Sequence, residues 1–324
     1  MTDFIGGSAP DFIGGSAPDF TGGSAPDALG AIAPIAFVAA LGFLLRRRHL
    51  LDAKTLSTCN IFLFIPALVF ANIYEREIAG GVFLRIAVAS IVVMGAMVVL
   101  LGTLARLLKL EGTASGAFMM TMFPNLGNFG LPVAMFGLGE EGLAFAVVVM
   151  VIGSGLQNSF GIYYAQRASH GKTKALFQVF LYPMIYAFVL ALILRQTGVV
   201  IPLPVSRSVT ILADAAIPVQ LVLLGIQIAE TNVERSRAVF VASGARLLGG
   251  PVLGILAAMA TGLTGLAGQA FVLQMAGPVA VGMAAYGVQF DVAPRFLSST
   301  VAWTFFLSLF TVSALLYFLA YIPV

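Results

Sequence analysis

The stretch FPNLGNFGLP, residues 123–132, sets Asn125 and Asn128 among Pro124, Gly127, Gly130 and Pro132 inside a long apolar run. Asparagine amides donate and accept hydrogen bonds without carrying charge. Proline removes a backbone donor and breaks the helical ladder, and glycine loosens the backbone further, so a helix entering this stretch is expected to stop and restart. A restarting helix offers N–H groups with no intrahelical acceptor and a partial positive charge. Amide side chains beside such an end suit an anion. A second break is expected at Gly277, Pro278 and Val279, with Gly282 just beyond. Gln157 and Asn158, in GSGLQNSFG, add amides that either line a cavity or bond between helices. Two charges fall well inside apolar runs, Asp214 and Arg246. An ionisable group at that depth is a functional candidate: Arg246 either meets a carboxylate directly, pairs with Asp214 or snorkels.

Other chemistries find no residues to carry them. The chain has no GxSxG, no HExxH, no P-loop and no pair of catalytic carboxylates within an apolar run. His49 and His170 lack partners at metal-ligand spacing, and Cys59 is the single cysteine. GLGEEG at 137–142 follows no strand, and its glutamates would repel a phosphate. The chain therefore reads as no enzyme, with no metal, no cofactor and no nucleic-acid partner.

The elements that must position these residues are membrane helices. Of 324 residues, 60% are hydrophobic and 10% charged, against about 25% charged in an ordinary soluble domain. Runs of about 20 apolar residues predict ten spans near 29–45, 56–74, 82–107, 113–138, 142–166, 175–195, 207–229, 238–261, 268–290 and 297–321. Most of the seventeen basic residues fall in the loops after the odd-numbered spans, from Arg46–Arg48 and Lys54 to Arg235, Arg237 and Arg295. That side is expected to be cytoplasmic and both termini extracytoplasmic. The basic cluster RRRHLLDAK at 46–54 suits anionic lipid.

The chain divides at RASHGKTK, residues 167–174. The expected organisation is a disordered repeat tail over 1–28, a first five-helix half over 29–167, a cytoplasmic linker over 168–174 and a second half over 175–324. The tail repeats DFIGGSAP and is not expected to be a signal peptide. Pro34 and Pro183, Pro66 and Pro218, and Met122 and Met275 recur in the same order at nearly constant spacing. An odd number of spans per half then implies an inverted repeat, a common transporter design whose broken helices mark the site.

Several motifs resemble the auxin efflux carrier family, which includes plant PIN-like carriers and bacterial malate and malonate permeases of the bile acid/sodium symporter type. They are GFLLRRRHL at 42–50, FIPALVF at 64–70, FPNLGNFGLP at 123–132, IPVQLVLLG at 217–225, RLLGGP at 246–251 and GPVAV at 277–281. The resemblance implies an all-α protein of ten helices in two inverted five-helix repeats. It also implies that spans four and nine are broken and cross, with Pro124, Asn125 and Pro278 at the crossing in a mobile part that slides against a scaffold. The expected function is secondary transport of a small organic anion, a mono- or dicarboxylate, across the cell membrane, and a homodimer is compatible with it. The alternative is a channel or membrane receptor of the same fold.

Overall fold

The structure is a computed structural model that describes residues 25–76, 78–168, 182–231, 233–319, 321, 322 and 324. Most of the repeat tail and the loop bearing His170, Lys172 and Lys174 lie outside the described residues.

Every regular element among the described residues is helical. Their order is α1 (Ala25–Arg47), α2 (Ala53–Cys59), α3 (Ile65–Glu75), α4 (Gly80–Leu107), α5 (Gly112–Met120), α6 (Leu131–Ala168), α7 (Pro183–Gln196), α8 (Leu203–Ala229), α9 (Arg237–Gly244), α10 (Gly250–Thr261), α11 (Gly265–Met275), α12 (Val281–Gln289) and α13 (Pro294–Leu319). Among the described residues six helical stretches are long and apolar enough to cross a membrane: 53–75, 80–107, 126–168, 203–229, 237–261 and 294–319. α1 begins at Ala25, ahead of the residue 29 expected. α6 holds two arms that meet at Gly139, whose φ of 69° only glycine adopts readily.

Among the described residues three π turns interrupt the helices, at Asn60–Phe64, Leu126–Gly130 and Ala245–Gly249. Each ends two residues before a proline: Pro66, Pro132 and Pro251. A proline cannot donate to the carbonyl four residues back, and its ring collides with it. Widening one turn lets the chain continue past that obstacle, and such bulges gather at functional sites. Pro132 therefore does not end a helix, as its type suggested; it sits in the first turn of α6, and the break lies upstream, between α5 and the π turn.

The helices pack as two panels. α1 lies along α8, and α3 along α7 and α8. The α1–α8 crossing is close because Gly225 faces the Ala39 carbonyl and Gly42 faces Val222, where any Cβ would collide with backbone. In the other panel α6 packs on α5 and α11, α10 on α4 and α11, and α13 on α12 and α9. Gly250 and Gly254, the GxxxG of the sequence, meet Met275 and Val272, so their partner is α11. α1 also touches α6 and α13 across the boundary, through an apolar cluster around Ile35, Phe129, Leu224 and Phe305.

Ion pairs sit at the ends of the helices. Arg46 meets Glu230 at 2.7 Å where α1 and α8 finish, and Arg76 meets Glu140 at 2.7 Å at the opposite end.

Candidate functional site

The two interrupted stretches cross each other. α5 ends at Met120, and the chain leaves helical geometry before restarting at Leu126; α11 ends at Met275, and α12 starts at Val281. Between these ends Pro124 and Val279 form an antiparallel bridge. The Asn125 N–H donates to the Pro278 carbonyl at 2.7 Å, and the Ala280 N–H donates to the Phe123 carbonyl at 2.8 Å. Two backbones stripped of helical hydrogen bonds thus satisfy one another in the interior, as buried backbone must. The Val279 N–H donates to Thr304 Oγ1 at 3.0 Å, which ties the crossing to α13.

This geometry corrects one expectation. The N–H groups of Asn125, Val279 and Ala280 are already used, so they are not donors for an anion. The next amides in each strand of the crossing come one to three residues later. Gly127 and Asn128 open the π turn, Val281 and Gly282 open α12, and all four line a cavity of about 350 Å³. First-turn amides lack intrahelical acceptors, and both half-helices direct their positive ends here.

The cavity lies between the two panels. Ser57, Asn60, Ile65, Tyr182, Met184, Leu223 and Gln227 form one wall; Asn125, Met150, Ser154, Gln157, Asn158, Ala285 and Tyr286 form the other. Among the described residues its lining contains no Asp, Glu, Lys, Arg or His. Asn125 is only 6% exposed, and its buried Nδ2 has no partner among the described residues; Asn60, 3% exposed, has a buried Oδ1 likewise unpartnered. Both atoms are enclosed, so each side chain must turn before that atom can meet a ligand. Two links cross the cavity: Asn128 Nδ2 donates to Gln227 Oε1 at 3.3 Å, and the Tyr182 and Tyr286 hydroxyls approach at 3.4 Å. Tyr286 also donates to Asn158 Oδ1 at 2.8 Å. A second cavity of about 450 Å³ shares Ser57, Leu223, Gln227, Val281 and Ala285, and reaches Lys54, Glu230 and Thr231 at the helix ends. The site thus opens toward the basic end of the molecule.

Of the residues singled out from sequence, Asn125, Gly127, Asn128, Gln157, Asn158 and Gly282 meet in this cavity. Pro124 and Gly277 are part of the crossing behind it, with Pro278 and Val279. Gly130 packs against the Gln274 amide. Gln274 is fully buried and donates to the Ala146 carbonyl at 3.3 Å, away from the cavity. Gln220 is fully buried, with both amide atoms unpartnered, and also lies outside the cavity wall. Ser57, Gln227, Tyr182 and Tyr286 were not foreseen. Nothing in the apolar periodicity of their helices says which face meets the crossing.

Arg246 and Asp214 do not pair. Asp214 is exposed on α8. Arg246, fully buried in the third π turn, donates from Nη1 to the Met122 carbonyl and from Nη2 to the Met275 carbonyl. It also borders a void of about 30 Å³ with Ser90, Pro124 and Leu156. Among the described residues no group of three or more His, Cys, Asp or Glu is placed to hold a metal.

Comparison with known proteins agrees with this architecture. The chain is 25% identical over 291 residues to an uncharacterized transporter of Methanothermobacter thermautotrophicus, an alignment that covers 85% of this chain and 93% of that protein. It is 26% identical over 203 residues to an uncharacterized transporter of Methanocaldococcus jannaschii, covering 60% of this chain and 65% of that one. The family described as membrane transport protein matches over residues 27–174 and again over 171–316, so that both halves fall within it. The chain belongs to this membrane transport protein family, the auxin efflux carrier family that its motifs resemble.

Proposed function

We propose that the protein is a secondary carrier for a small organic anion, a mono- or dicarboxylate, bound where the two interrupted helices cross. The observation that carries this reading is the cavity: two half-helix N-termini and a set of uncharged amides converge on it, with no charged side chain among the described residues of its wall. A fixed cation would hold a carboxylate tightly; oriented amides and helix ends stabilise it while still letting it leave. The volume of about 350 Å³ suits a small molecule. The unpartnered Asn125 Nδ2, once its side chain turns to the cavity, is the donor assigned to the carboxylate, and the Asn60 carbonyl oxygen, turned likewise, is an acceptor for a hydroxyl or protonated group.

The chain is read as ten spans in two inverted five-helix halves. α4, α5, α6 and α9–α13 form the part that carries the site, and α1, α2, α3, α7 and α8 form the part it slides against. Three features support that division: the panel packing, the antiparallel crossing, and the meeting of the two family matches at the loop that separates the halves. The opening toward the basic end then corresponds to an inward-facing state of a cell-membrane carrier.

The test is a thermal-shift screen of purified protein against mono- and dicarboxylates, followed by counterflow in proteoliposomes. A ligand at a hundredfold excess over its Kd adds about 2.7 kcal/mol of stability, well within detection. Saturable counterflow of a stabilising carboxylate is the expected result. Unsaturable flux would favour a channel, and stabilisation without flux a receptor.

A further inference from the structure

Arg246 combines three properties that the carboxylate site does not use. It is fully buried, its forked guanidinium spans two backbone carbonyls on different helices, and no carboxylate pairs with it among the described residues. The carbonyls belong to Met122, just past α5, and to Met275, the last residue of α11. Helix C-termini carry roughly half a negative charge each, from carbonyls that lack partners. One guanidinium therefore meets two negative ends that sum to about one unit. An arginine presents its donors in a rigid fork and stays charged at any physiological pH. Gly250 lies directly against the guanidinium, which leaves it the space it occupies.

Just past the break in each of these spans, at Leu126 and Val281, the positive half-helix ends face the cavity. With the negative ends answered by Arg246, the dipoles no longer cancel across the crossing, and a ligand there experiences a net positive charge. We propose that Arg246 is the fixed counter-charge of the anion site. It acts as a positioning residue that ties the two interrupted helices together and gives the empty site-bearing part a net charge of +1 within the membrane, which a bound monoanion neutralises. This rests on the reading of the molecule as a carrier whose site-bearing part moves. Its consequence is that the empty form is driven by membrane potential and the monoanion-loaded form is not.

The experiment needs no ligand. A Ser154→Cys reporter in the cavity, in a Cys59→Ala background, is reacted with a membrane-impermeant maleimide from either side of proteoliposomes clamped with potassium and valinomycin. A unit charge crossing the whole field shifts the equilibrium between states by about fiftyfold per 100 mV, and one crossing half of it by about sevenfold. Potential negative at the basic end should speed labelling from that end and slow it from the other. Arg246→Lys should keep this dependence, and Arg246→Gln should lose it while the reporter still labels. If Arg246→Gln fails to fold, the protein with native Arg246 and its Arg246→Lys form still decide. Labelling from both sides that ignores potential when Arg246 is present, or that keeps its dependence in Arg246→Gln, overturns the counter-charge. Labelling from one side only, at every potential, instead overturns the moving-carrier reading.

Discussion

The two sides of the crossing share a backbone plan but not a chemistry. Each interrupted stretch ends one helix at a methionine carbonyl held by Arg246, runs extended past a proline, and restarts toward the cavity. The first stretch adds a π turn and two amides, Asn125 and Asn128, both in the cavity wall. The second, Ala276–Ala280, has no polar side chain; its nearest amide, Gln274, points back to the Ala146 carbonyl. The difference teaches that pairing of the two backbones builds the shape, while the polar side chains facing the cavity come from one half and from its neighbours in α6 and α12, where the proposed function puts ligand selection.

The sharpest way to break that comparison is to put a charge on the first side. Asn125→Asp places a carboxylate where an anion is expected, and carboxylate affinity should fall more than a hundredfold in a protein that still elutes as a folded species on size exclusion. Next comes space. Gly130→Ala drives a methyl into the Gln274 amide, whereas a Cβ at Gly127 would come no nearer than 3.8 Å to Met150. Gly130→Ala should therefore lower stability by about 1–3 kcal/mol, read as a drop in melting temperature. Gly127→Ala should leave the melting temperature nearly unchanged. On the second side, Thr304→Val removes the acceptor of the Val279 N–H and should cost about 1–2 kcal/mol of stability with little change in affinity. The smallest effect expected is that of pH. Because the described residues of the cavity wall include no carboxylate, histidine, lysine or arginine, affinity for a fully ionised carboxylate should stay flat from about pH 6 to 8. A slope there would point to a titrating group outside this wall.

Much of this arrangement was legible in the sequence, because membrane helices announce themselves by length and apolarity and their breaks by proline and glycine. The expected runs 56–74, 82–107, 207–229 and 238–261 lie within a few residues of the helical stretches, and the breaks expected at Pro124 and Pro278 fall at the crossing. Gln157 and Asn158 were read as either cavity lining or interhelical glue; they line the cavity, and Asn158 also bonds Tyr286. Three things were hidden. The π turns before Pro66, Pro132 and Pro251 are one solution among several to a missing donor, and composition does not choose among them. The partners of Arg246 are backbone carbonyls, which no residue letter marks, so a search for a carboxylate led to Asp214. The wall made by Ser57, Gln227, Tyr182 and Tyr286 depends on how two panels face each other, which periodicity within one helix does not encode.

The central claim, that the side-chain amide selecting the ligand belongs to the first side of the crossing while the second side contributes only backbone and its helix end, is tested most directly by one set of binding isotherms. Carboxylate binding is measured for the unaltered protein, Asn125→Ala and Gln274→Leu in the same detergent, each with its melting temperature. Loss of a hydrogen bond to a charged group costs about 1.5–3 kcal/mol, so Asn125→Ala should weaken binding roughly ten- to hundredfold, while Gln274→Leu lowers the melting temperature and leaves affinity in place. Equal losses in both variants, or a loss confined to Gln274→Leu, would contradict the account.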